Sequence, residues 1–338
     1  MPGYTCVMDV NPIKYLGAKP VYVDIEPNTF NMNVELLEEK ITSNTKVIIA
    51  QHTYGYPCDM DAIFAVANKH GVTVIEDCCL AFGSKYKGKT VGTFGKASYF
   101  SFQWNKPFTT GLGGMAITSD TELADKIEKL CREEMQKPGS KEVFMLAAQL
   151  IVYRTLIYPR MTALAQSLFR WLTKKGIVIG SSAACEFEPV MADDFFKGMS
   201  CVQAGSGVRQ LAKVDGNIAH RKEIAQFYDQ LLQEKGWAGR KYDASVMNPV
   251  MVRYPVRINE KVKALEQAAS AGVELGSWFE CPLHPIETPM NMYNYEIGMC
   301  PEAEKAAKEV VNLPLHPRAG RKTAERTVEF ITKFTQAG

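Results

Sequence analysis

Short apolar runs alternate with helix-periodic stretches from residue 16 to residue 120, and this alternation predicts the fold. Residues 20–25, 46–51, 72–76, 97–102 and 114–118 are compact, largely apolar runs that predict strands. Residues 34–41 and 59–70 predict helices between them, with Asp59 placed as the N-cap of the second and Gly71 as its C′ residue. Ser119-Asp120-Thr121-Glu122 has the form of a capping box opening a helix to about Glu134. The Gly- and Lys-rich residues 83–95 read as a hairpin. Alternating elements with mostly unbroken apolar strands predict an α/β fold on a mainly parallel sheet covered on both faces.

Residues 135–198 break the rhythm. Residues 143–153 carry no charge, and Arg154, Arg160, Arg170, Lys174 and Lys175 follow among apolar side chains. A membrane-spanning helix needs about 20 apolar residues, so the run is too short to cross. It reads as a helical insertion on the body or on a partner subunit, with peripheral membrane contact through 143–175 as the alternative. Residues 200–232 predict one long helix, bent where Gly205, Gly207 and Gly216 weaken it. A smaller α/β unit follows: strands at 249–258 and 273–279, helices at 260–271, 301–311 and 322–333. The expected division is a large domain over 1–222 and a small one over 223–338.

Composition narrows the function classes. Lys plus Arg (39) nearly balances Asp plus Glu (37), so no strong field invites nucleic acid. Nine scattered cysteines without CxxC spacing read as reduced thiols and a cytoplasmic chain. Five histidines show no paired ligand spacing, and no metal is expected.

The candidate chemistry lies in two strand ends. Asp77 closes Val74-Ile75-Glu76-Asp77, and Lys106 follows 29 positions later, after Ser101-Phe102-Gln103-Trp104-Asn105. An acid and an amine beyond adjacent strands suit pyridoxal 5′-phosphate (PLP) chemistry. The amine forms a Schiff base, and the acid keeps the pyridine nitrogen protonated.

Several further segments extend the match, in order: Gly17-Ala18-Lys19-Pro20-Val21-Tyr22-Val23-Asp24-Ile25, His52-Thr53-Tyr54-Gly55-Tyr56-Pro57-Cys58-Asp59, Tyr86-Lys87-Gly88-Lys89, Gly113-Gly114 and Asn312-Leu313-Pro314-Leu315-His316-Pro317. With these, the chain resembles the DegT/StrS sugar aminotransferases, PLP enzymes of the aspartate-aminotransferase fold. The resemblance implies Lys106 as the Schiff-base lysine and proton shuttle, and Asp77 as partner of the pyridinium. It implies Ser101 against the cofactor phosphate and Cys6 where the family places an aromatic on the pyridine ring. His52 would be scaffold. It also implies a keto-sugar substrate, nucleotide-linked, with glutamate as amino donor, and a homodimer. The chain departs from the family pattern at Leu80, Leu112, Phe196 and Gly198, and it begins beyond the family's phosphate-clasping segment. Those departures keep a second reading open: a catalytically idle member serving as a subunit or binding module.

Overall fold

The computed structural model describes residues 1–152, 189–193 and 195–335. Strand β1 (Thr5–Cys6) leads into helix α1 (Val7–Tyr15). The site is positioned by one sheet whose neighbours run β2 (Val47–Gln51), β3 (Thr73–Asp77), β6 (Ala97–Ser101) and β7 (Gly114–Ile117). Strands β4 (Lys85–Tyr86) and β5 (Lys89–Thr90) form the expected hairpin between β3 and β6. Strands β2, β3 and β6 are parallel, with Gln51 beside Asp77 and Asp77 beside Tyr99. Strand β7 closes the edge antiparallel, Ser101 opposite Gly114. The mainly parallel α/β sheet expected from the alternation is present.

Helix α2 (Met60–His70) ends where its sequence signals place its ends. Asp59 Oδ1 accepts Ala62 N–H at 3.1 Å, and Gly71 adopts φ 65°, its N–H reaching Ala67 O and Asn68 O. Only glycine takes that left-handed conformation without a Cβ penalty. Met60, Ile63 and Ala67, spaced three and four apart, form the buried stripe. Helix α3 (Thr121–Glu134) starts one residue later than the capping box implied: Asp120, not Ser119, accepts the Leu123 N–H at 2.9 Å.

Four segments differ from expectation. Residues 20–25 are extended but held only by isolated bridges, Pro2 to Val23 and Ile25 to Met32. Residues 34–41 form two 3₁₀ turns, Val34–Leu36 and Glu38–Lys40, instead of one helix. The long helix divides at Ala212–Lys213 into α5 (Cys201–Leu211) and α6 (Val214–Glu234), and Ser200 and Gln203 complete a capping box on α5. Residues 273–279 are no strand, and Gly276 makes the one bridge there, to Asn312. Helix α4 (Ser140–Val152) opens the expected insertion; residues 153–188 and 194 lie outside the described residues, and with them most of the 143–175 stretch considered for membrane contact. No helix among the described residues is long and apolar enough to cross a membrane.

The later elements fold back on the beginning of the chain. Strand β8 (Met247–Asn248) pairs with β4, and β9 (Arg253–Arg257) lies antiparallel to β11 (Val310–Pro314). Strand β10 (Leu283–His284) runs parallel to β1, placing His284 beside Cys6. Helices α7 (Lys261–Ala268), α8 (Pro301–Glu309) and α9 (Arg321–Ile331) complete this part. Ile224, Tyr228, Leu313 and Val328 share one buried core with Tyr4, Tyr54 and Tyr56. The expected division after residue 222 falls inside α6.

Candidate active site

Successive residues on a strand face opposite ways, so Glu76 and Asp77 at the end of β3 serve different sides of the sheet. Glu76 is fully buried. Its carboxylate accepts Gly92 N–H at 2.6 Å, Phe94 N–H and Gly95 N–H at 2.7 Å each, and contacts His52 Nε2 at 3.1 Å. His52 Nδ1 accepts Cys58 N–H at 2.9 Å, so its one ring proton sits on Nε2 and points at Glu76. Burial pushes the Glu76 pKa up, but the His52 and backbone donors outweigh it and hold the carboxyl below its ordinary value. Glu76→Ala would orphan three backbone donors, and a loss of about 3–5 kcal/mol of unfolding free energy is expected in urea melts. Because the folded pKa is depressed, the stabilisation is full above the ordinary carboxylate range and fades as pH falls through it. His52 is thus placed as scaffold, as expected.

Asp77 faces a cavity of about 340 Å³. Cys6, Asp77, Ser101 and Lys106, the four residues singled out from sequence, all line it, together with Asp9, Leu80, Trp278 and His284. Asp77 Oδ1 accepts the Cys79 N–H at 2.8 Å, which orients the carboxylate. Lys106 sits in the turn after β6, its N–H bonded to Gln103 O at 3.0 Å. Among the described residues its Nζ has no ion-pair or hydrogen-bond partner, and it lies 5.3 Å from the Trp278 ring centre. Ser101, at the end of β6, presents its hydroxyl near the Gln103 N–H, 3.5 Å away. Cys6 stands at the mouth of α1 with its thiol pushed up to about 12 by burial and by the neighbouring Asp9, so it is neutral. Gly111 (φ 88°) and Gly113 (φ 113°) form the tight turn into β7.

Sequence reasoning missed Asp9 and Trp278. Asp9 lies one helical turn beyond Cys6, and that three-residue spacing was the available signal. Its carboxylate, the Asp77 carboxylate and the Cys79 sulfur lie within 4.8 Å of one another. Thr5 Oγ1 lies 3.0 Å from Asp9 Oδ2 and also contacts Gln51 Oε1, whose amide nitrogen is committed to Tyr4 O and Thr53 Oγ1. One hydroxyl proton serves two acceptors only if Asp9 brings a proton of its own. Electrostatics agree: burial and the adjacent Asp77 raise the Asp9 carboxyl well above its ordinary value. Burial raises Asp77 too, against the Cys79 donor and the Lys106 ammonium, which favour its charge. A larger cavity of about 610 Å³ lies between α6 and β9, remote from these residues. Its Arg240 and Arg257 are already ion-paired, with Asp229 and with Glu302 and Glu309, which leaves the smaller cavity as the candidate site.

An oriented acid, an unpaired amine and a hydroxyl around one space of this size fit a flat pyridine ring bearing an aldehyde and a phosphate. This fold with this donor set defines a PLP-dependent aminotransferase. The sequence profile of the DegT/DnrJ/EryC1/StrS aminotransferase family matches residues 1–152 and 195–332, and the chain belongs to that family. It is 52% identical over 335 residues to GDP-perosamine synthase of Escherichia coli O157:H7, covering 99% of this chain and 78% of that one. It is 29% identical over 317 residues to UDP-2-acetamido-2-deoxy-3-oxo-D-glucuronate aminotransferase of Pseudomonas aeruginosa, covering 94% and 73%. Among solved structures, the aminotransferase TlmJ from Streptoalloteichus hindustanus superposes with a TM-score of 0.72 at 26% identity, covering 98% of this chain and 76% of that one.

Proposed function

We propose that this sugar aminotransferase moves an amino group from glutamate to the ketone of a nucleotide-linked keto-sugar, with Lys106 and Asp77 carrying the chemistry. The observation that carries the proposal is the placement of both side chains in one cavity, at the ends of neighbouring strands. The nucleotide link is supported by the GDP- and UDP-sugar names of the two relatives above.

When bound, PLP supplies an electron sink that stabilises negative charge at the carbon losing its proton. The chain's residues supply the rest. Asp77, fixed by the Cys79 N–H, holds a proton on the ring nitrogen. Lys106 Nζ takes the proton from the donor's Cα and returns it on the other side of the exchange, a task suited to an amine without a fixed partner. The Ser101 hydroxyl would donate to the cofactor phosphate, and the neutral Cys6 thiol would help to hold the ring in place. Trp278 and Phe279 wall the cavity and exclude water. We further propose a cytoplasmic homodimer, since the exposed Phe144, Ile151, Val208 and Leu211 of α4 and α5 offer apolar surface for a second copy.

Borohydride reduction with PLP present, followed by peptide mapping, is expected to place a phosphopyridoxyl group on Lys106. Incubation with glutamate and a GDP- or UDP-linked keto-sugar is expected to yield the aminated sugar by mass spectrometry. A protein that gains no adduct at Lys106 would instead be the idle subunit.

A further inference from the structure

Trp278 and Phe279 line the cavity wall, and among the described strands none pairs with residues 277–279. Their three consecutive carbonyls are held by side chains instead. Lys261 Nζ donates to Ser277 O at 3.1 Å and to Phe279 O at 2.9 Å, and the Tyr54 hydroxyl donates to Trp278 O between them. The Phe279 N–H donates to Tyr4 Oη at 3.3 Å. The third Lys261 proton goes to Ala307 O at 2.7 Å, in the last turn of α8, where helix carbonyls lack partners within the helix. An ammonium has three donors and no acceptor, and here each donor is used once.

We propose that Lys261 is a positioning residue that latches the Trp278–Phe279 wall onto the cofactor cavity, and that it holds the wall only as an ammonium. A neutral amine has two N–H groups and a lone pair. One of the three carbonyls would then lose its donor and face the lone pair, at a buried position where no water replaces it. Because Trp278 lies against Lys106 and both Trp278 and Phe279 line the cavity, release of this segment loosens the space in which the cofactor sits. The charged and titratable groups facing Lys261 are Glu280 and Cys281 on the latched segment and His284 on β10. Burial lowers Lys261 from the ordinary 10.5 to about 8, partly offset by Glu280 and Cys281. The sign separates latch from fold. Between about 8 and 10.5 the unfolded chain binds more protons than the folded one, so this group makes global stability rise with pH. Loosening above pH 8 is therefore local and leaves the amine buried: losing the Ser277 and Phe279 carbonyls lowers its proton affinity further, so the loosened state binds fewer protons than the latched one.

The consequence for catalysis rests on the proposed role of Lys106, but the latch does not, and its first test needs no cofactor. Acrylamide quenching of tryptophan emission is measured on the full chain from about pH 6.5 to about 9.5, with Trp278→Phe as the reference that isolates Trp278. In the wild type, Trp278 is expected to become quenchable with a midpoint near 8. Lys261→Met is expected to be quenchable throughout, and Lys261→Arg, charged at all these pH values, protected throughout. PLP affinity, read by absorbance, is expected to weaken about tenfold from pH 7 to pH 9 in the wild type and not in Lys261→Arg. A wild-type Trp278 that stays protected at high pH, or the same midpoint in Lys261→Arg, overturns the latch. A latch that behaves as stated in a chain that takes up no PLP overturns the functional reading and leaves the latch standing.

Discussion

Lys106→Met is expected to lower turnover by about 10⁴-fold or more, because it removes the group that moves the proton at Cα and, among the described residues, the only amine lining the cavity. The neighbouring lysines do not substitute for it. Lys87 is paired with Asp61, Lys96 with Asp120 at 3.2 Å, and Lys89 lies 4.6 Å from the Phe94 ring centre. All three belong to the β4–β6 surface, and neither they nor Lys85 line the cavity. Methionine keeps the length and the contact with Trp278 while abolishing proton transfer, so the thermal midpoint should hold within about 2 °C. Two readouts check the expectation: aminated sugar by mass spectrometry, and exchange of the glutamate α-hydrogen in D₂O. Turnover within tenfold of wild type would move the catalytic amine to another residue. Full loss of both readouts with an unchanged melt would mark a chemical defect.

What was legible in the sequence follows from how local each determinant is. Asp59 and Gly71 bracket α2 because capping and left-handed φ are decided within a few residues. Strands β2 and β3 were visible because Ile48, Ala50 and Val74 are buried within short, largely apolar runs, and β6 because residues 97–102 are rich in aromatic side chains. Asp77 and Lys106 came out of the same signal, since Asp77 closes one such run and Lys106 lies four residues beyond the next. Residues 273–279 misled because their apolar pattern is a strand pattern, while the donors that satisfy their backbone are Lys261 and Tyr54, side chains remote in sequence. Helix α1 was obscured by Pro12 in its interior and by the β-branched Val7, Val10 and Ile13. Asp9 was therefore not placed beside Asp77, although Cys6 had already been assigned to the site.

That missing neighbour shapes the second large effect, in which activity and stability are expected to move in opposite directions. Asp77→Asn keeps the oxygen that accepts the Cys79 N–H but cannot hold a positive charge on the ring nitrogen. Turnover should fall about 10²–10³-fold, the range for removing one preorganised electrostatic contact. In the free protein the same carboxylate is a burden. With its oxygens within 4.8 Å of Asp9, mutual repulsion of two ionised groups would be on the order of 3 kcal/mol at an effective dielectric near 20. Burial raises both carboxyls, so the folded chain holds their protons more tightly than the unfolded chain. Stability from this pair is full below the ordinary carboxylate range and is lost as pH rises through the raised values. Without PLP, the wild type should therefore melt lower at about pH 8 than at about pH 5, and Asp77→Asn should blunt that fall and melt above the wild type at pH 8. Saturating PLP should reverse the ranking, because only the wild type gains a pyridinium to balance the pair. Asp9→Asn, which replaces one neutral side chain by another, should keep turnover within about tenfold of wild type. If Asp77→Asn melts below the wild type at pH 8 without PLP, the two acids do not repel as placed, and Asp9 is no part of the site's charge balance.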